Sequence, residues 1–110
     1  MKDKLLSYLG FARKSGNLVS GSNTCVFSMK KGKVRLLLIT EDASDNTKKK
    51  MTSEAKACNV PVRIYGDSGI ISRAVGESGR TVFGITDGNF AKVIKEEIEK
   101  AGQAKEDQRG

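Results

Sequence analysis

The run Val34-Arg35-Leu36-Leu37-Leu38-Ile39-Thr40 leaves this chain little freedom of architecture. A strand with one face in water alternates apolar and polar side chains, whereas a nearly continuous aliphatic run suits an interior strand covered on both sides. Helices on both faces of a sheet then follow.

The flanking sequence supplies those helices. Leu5, Leu6, Leu9 and Ala12 recur at helical spacing over residues 3–15, with Lys2, Lys4, Arg13 and Lys14 off the stripe and Gly16 as a stop. Residues 17–20 suit a short strand, and a helix is predicted over residues 22–31, closed by Gly32. The cap-rich residues 41–47 precede a helix over residues 46–58, with Met51, Ala55 and Cys58 inward and Lys48, Lys49 and Lys50 in or just beyond its first turn. Consecutive lysines there oppose the helix dipole, which hints at a use. Pro61 opens a strand over residues 59–65. A short helix at 70–76, a strand at 80–86 and a last helix that Asp87 caps and Gly102 closes complete the alternation. Phe90, Val93, Ile94 and Ile98 mark the buried face of that last helix. The prediction is α/β, a three-layer α/β/α sandwich, folded as one domain over residues 1–102 with a polar, frayed tail at 103–110.

With 110 residues, 37% hydrophobic and 30% charged, the composition is that of a globular protein with an aliphatic core, aromatics contributing only 5%. No apolar run reaches the roughly 18 residues of a membrane span, and the first residues do not read as a signal peptide. A cytoplasmic protein with no membrane partner is expected. The net charge of +7 points to a polyanionic partner, and it is unevenly placed. Residues 1–50 carry eleven Lys or Arg against four acidic residues, while residues 51–110 carry nine of each. That asymmetry favours a nucleic-acid face in the first half.

Within that half, Ser20-Gly21-Ser22-Asn23-Thr24 opens the central helix. Ser22 and Asn23 are favoured cap residues, and Gly21 admits close approach of a ligand backbone. A helix start of this kind presents unpaired N–H groups and the positive end of the dipole to a phosphate or an electron-rich base edge.

Enzyme readings find little support. Without histidine, the usual general base near neutral pH is missing. Cys25 and Cys58 are too few for a zinc cluster and suit reduced, half-buried packing positions. Residues 16–21 do not make a P-loop, because Ser22-Asn23 stands where Lys and Ser/Thr are required. Glu41, Asp42 and Asp45 could gather a magnesium ion, but a cap-rich helix start explains them more simply. No cofactor and no metal are expected.

From Gly16 to Asp42, and again through Ala43-Ser44 and Asn46-Thr47-Lys48-Lys49-Lys50, the sequence resembles the kink-turn-binding ribosomal protein superfamily. That superfamily takes in the L seven-Ae, L thirty-e and Gadd45 proteins, and the short bacterial YlxQ-like members are the most similar. The resemblance covers roughly residues 3–101. It implies a small mixed sheet in the sandwich and a non-enzymatic protein that binds bent, structured RNA through the start of its second helix. It also implies association with ribosomal RNA or the ribosome, and a monomer is expected. In the family a glycine, a small hydroxyl residue, an asparagine, a glutamate and, three positions later, a lysine hold the RNA. The first three fall on Gly21, Ser22 and Asn23, while Thr24 occupies the glutamate position and Phe27 the lysine position. A second family contact, an apolar loop before the fourth helix, falls on Tyr65-Gly66 and Ile71-Ser72-Arg73. Glu41 and Asp42 join the implied RNA-contacting set. Lys14, Lys30, Lys31 and Lys48 are the cations expected around the groove, each adding to a salt-dependent affinity. An alternative reading is a protein-interaction module of the same fold that has lost specific RNA recognition.

Overall fold

A computed structural model describes the backbone of residues 3–109 and the side chains of residues 3–102. The described chain alternates α1 (Lys4–Lys14), β1 (Leu18–Ser20), α2 (Ser22–Lys30), β2 (Leu36–Ile39), α3 (Asp45–Ala57), β3 (Val62–Ile64), α4 (Ser68–Ala74), β4 (Val82–Ile85) and α5 (Gly88–Arg109). All four residues of β2 are buried, as a strand covered on both faces requires. It lies inside a sheet of order β1-β4-β2-β3, parallel to β3 and antiparallel to β4, so the sheet is mixed.

The period of two along the strands divides the core. Leu36, Leu38, Phe83 and Ile85 pack on one side with Leu5 and Leu9 of α1, Ile71 of α4 and Ile94 and Ile98 of α5. Leu37, Ile39 and Val82 pack on the other with Cys25 and Met29 of α2 and Met51 and Ala55 of α3. The sheet is thus the middle layer of three.

Several element ends differ from the sequence reading. The α4 helix, predicted over residues 70–76, begins at Ser68 because Asp67 caps it, its carboxylate accepting from Ile70 N at 3.1 Å. The N-cap of α2 is Gly21, not Ser22 or Asn23, because the Gly21 N–H still bonds the Val82 carbonyl at 2.9 Å and the chain turns at once, at φ 96° and ψ 144°. That conformation is close to one that only glycine populates readily. In α3 the cap is Ser44, whose Oγ accepts from Thr47 N at 3.1 Å, and Asp45 occupies the first turn. Lys48, Lys49 and Lys50 therefore sit beyond the first turn, where their conflict with the dipole is small. Finally, α5 runs past Gly102 to Arg109, so residues 103–109 are helical and not frayed. One glycine costs a helix only about 1 kcal/mol, and the neighbouring Ala, Gln, Lys and Glu favour helix.

Registry gathers the loops at one end of the sheet. Ser20 pairs with Phe83 and Ile39 with Val82. Beyond them Thr40 N bonds Thr81 O at 2.9 Å and Glu41 N bonds Gly66 O at 2.8 Å. The starts of α2, α3 and α4 all lie there, outside the carboxyl ends of the parallel strands β2 and β3, where open α/β sheets bind ligands. The opposite end is marked by Arg35 N on Ile85 O at 2.7 Å and Thr86 N on Asn17 O at 2.9 Å.

Candidate nucleic-acid interface

The first turn of α2 is left open. With glycine at the N-cap there is no side-chain cap, and no acidic residue lies in the first turn. Ser22 is half-buried, while Asn23 and Thr24 are exposed beside amide donors that the helix itself cannot pair. The positive dipole end is thus unneutralised, which suits an anion or a carbonyl-rich base edge.

Arg80, outside the predicted set, completes this corner. A Cβ built on Gly21 would lie 3.0 Å from Arg80 Nη1, so the guanidinium sits directly over the glycine. Its backbone is fixed by Ser72, whose buried hydroxyl donates to Arg80 O and accepts from Arg80 N, both at 3.0 Å. Its side chain is held loosely, with Nε 3.6 Å from Glu77 Oε1 while Glu77 Oε2 takes Arg13 Nη1 at 2.9 Å. A basic residue at the entry of a strand was the signal for it, but only the pairing of β4 beside β1 reveals that it reaches Gly21.

The acidic pair holds the neighbouring loop. Glu41 Oε2 accepts from Gly66 N at 3.2 Å. Asp42 accepts from Ser68 N at 3.1 Å and from Ser68 Oγ at 2.6 Å, which fixes the start of α4. Hydrogen bonding by the Ser68 hydroxyl holds the Asp42 carboxyl below its usual range, with a smaller pull from the nearby Thr40 hydroxyl. That Thr40 hydroxyl is not in good bonding geometry, and its Oγ1 is the buried side-chain polar atom without a partner among the described residues. Glu41 and Asp42 thus position the loop and have protein partners of their own.

The second predicted contact changes identity. Ile71 and Ser72 are each 1% exposed, the first in the core and the second occupied by Arg80, so neither offers a surface to a ligand. Ile70, one residue earlier, is 53% exposed and is the apolar side chain presented there. Arg73 is exposed in the last turn of α4. Tyr65 is half-buried against the core, and burial, then Asp3 and Glu41, push its hydroxyl pKa up.

The predicted cations do not form one edge. Lys48, in the second turn of α3, lies toward the end of the sheet where α2 also starts. Lys30 and Lys31 lie at the other end of α2, about 12 Å away at 1.5 Å per residue. Lys14 ends α1 just before Asn17, also at the far end of the sheet. The first-half charge excess is therefore split between two poles, and Arg80 from the second half supplies charge beside Gly21.

Cys25 is buried, and burial pushes its thiol up to about 12, which keeps it protonated and unreactive near neutral pH. Among the described residues no helix is long and apolar enough to cross a membrane.

Known proteins resemble this chain in sequence and in fold. Two relatives are each called RNA-binding protein YlxQ. The one from Bacillus subtilis (strain 168) is 34% identical over 86 residues, covering 78% of this chain and 86% of the relative. The one from Enterococcus faecium is 33% identical over 98 residues, covering 89% and 94%. Among solved structures, a protein of unknown function from Bacillus halodurans C superimposes with a TM-score of 0.85 at 31% identity, over 89% of this chain and 99% of that one. The Giardia lamblia 15.5kD RNA binding protein shares the fold, with a TM-score of 0.70 at 20% identity, over 91% of this chain and 89% of its own. The family model described as the ribosomal protein L7Ae/L30e/S12e/Gadd45 family matches residues 3–95, and the chain belongs to that family.

Proposed function

We propose that this chain is a non-enzymatic RNA-binding protein that recognises kink-turn or similarly bent RNA through the start of α2, acting as a cytoplasmic, ribosome-associated monomer. The observation that carries the reading is the exposed Asn23 in an uncapped first turn, with Gly21 beneath it and the Arg80 guanidinium alongside. A sharply bent RNA displays purine edges next to crowded phosphates. Asn23 reads the edges, the open amides and Arg80 take phosphate, and Ile70 supplies an apolar surface for an unstacked base. Thr24 replaces a carboxylate with a hydroxyl, so the protein prefers a different set of kink-turn sequences from relatives that keep the glutamate. The names of the two YlxQ relatives support an RNA partner.

A binding titration with a kink-turn hairpin and a straight duplex of equal length tests this. Asn23→Ala weakens hairpin binding about tenfold or more and leaves duplex binding nearly unchanged, as loss of a base contact should. Lys48→Ala weakens both about equally, and Arg80→Gln lowers the salt slope of hairpin binding by about 1. Equal affinity of the native protein for hairpin and duplex would refute the reading.

One observation favours a second reading, a protein-interaction module. Phe27 is 60% exposed on α2, with Lys31 Nζ 4.3 Å from its ring centroid. An exposed aromatic covered by a cation suits a protein contact. Ultraviolet crosslinking in cells separates the two, since RNA adducts support the first and protein-only capture the second.

A further inference from the structure

The far pole of the sheet holds a groove that the α2 site does not use. It occupies about 420 Å³ between the start of β2 and one face of α5. Leu36, Pro61 and Ala91 line it with apolar surface, and Arg35, Lys92 and Lys95 stand along it. None of these three cations forms a salt bridge among the described residues, unlike Arg13, Arg63, Arg80 and Lys100. Of the two carboxylates beside the groove, Glu99 is taken by Arg63 at 2.8 Å. Arg63, with a smaller pull from Lys95, holds the Glu99 carboxyl below its usual range. Arg35, Lys92 and Lys95 against Glu96 and Glu99, the latter already paired with Arg63, leave the groove net positive.

We infer that this groove is a second RNA-binding site, taking a single-stranded segment that flanks the bent element held at α2. The inference rests on the proposed function, because it extends the same RNA. Charge selects a polyanion, and the apolar lining suits the flat face of an unpaired base, the pairing that single-strand sites use. Continuity favours RNA over an acidic peptide. Arg35 and Thr40 bracket β2, so the two ends of the sheet are about 17 Å apart at 3.3 Å per residue, and α2 and α5 cover opposite faces. A ten-nucleotide flanking strand spans that path at about 3.4 Å per nucleotide. Arg35, Lys92 and Lys95 then hold a different part of the molecule that the α2 start holds.

The test compares a kink-turn hairpin with the same hairpin carrying a ten-nucleotide single-stranded extension on its 5′ or 3′ side. With the native protein, one extension steepens the dependence of log K on log salt by about 2, the value for three phosphate contacts to a single strand. The triple variant Arg35→Gln, Lys92→Gln, Lys95→Gln, checked for an unchanged melting temperature, loses that increment and binds the bare hairpin as before. Asn23→Ala does the reverse, losing hairpin affinity and keeping the increment. If the hairpin binds but neither extension adds anything, or the increment survives the triple substitution, the second site is wrong and the α2 reading stands. Displacement of the extension by polyglutamate at equal charge would reassign the groove to an acidic protein segment and overturn the proposal. If no RNA binds at all, both readings fall together.

Discussion

Gly66 joins stability to the site at a single atom. Its φ is +85°, and a Cβ there would lie 2.5 Å from Cδ1 of the buried Ile71. Gly66→Ala therefore combines left-handed strain of about 1–2 kcal/mol with overpacking of about 1–3 kcal/mol. Thermal unfolding should show a loss of about 2–5 kcal/mol, and a melting temperature within about 2 °C of native would contradict this packing. Residue identities were only partly legible in the sequence. Asn23 and Arg73 are exposed, but the N-cap of α2 is Gly21 and not the Asn23 that cap chemistry favoured. Ile70 and Ile71 are adjacent apolar residues about 100° apart on a short helix, and only the packing of α4 against α1 decides which is buried. Arg80 was hidden because its neighbour in space, Gly21, is fifty-nine residues away in sequence.

At the scale of elements, α4 is pinned by Asp42. The carboxylate is the acceptor for both Ser68 donors, so its folded pKa lies below the ordinary 3.8. Stability from this contact is fully present above pH 3.8 and is lost as pH falls through the lower folded value. The site is solvent-exposed, so the effect is small but has a definite sign. Native protein should melt higher than Asp42→Asn at pH 7, and the gap should shrink as the pH is taken below 3.8. A gap that persists or widens in acid would show that the side chain acts through something other than its charge. The interior strand was legible because its aliphatic run permits no wet face, and the alternation of helix and strand followed. Helix ends were less so. Cap chemistry favoured Ser22 and Asn23, but the last bond of the β1 edge extends to Gly21 and forces the turn one residue early. Strand order was not legible at all, since β4 enters between β1 and β2 through pairings that no local pattern encodes.

At the scale of the whole molecule, a mixed sheet with β4 inserted brings the starts of three helices to one end and leaves a second cationic surface at the other. The basic first half suggested one electropositive edge. The fold divides it, since α1 and α2 each run the length of the sheet and carry Lys14, Lys30 and Lys31 away from Asn23. In the proposed function, recognition at the α2 start consequently depends on few cations and on geometry. The most direct test is the backbone amide spectrum during titration with a kink-turn hairpin. The account predicts that the largest shifts fall on Gly21, Ser22, Asn23 and Thr24, on the Gly66–Ile70 loop and on Arg80. Shifts concentrated instead around Phe27 and Lys31, with the α2 start unmoved, would contradict it.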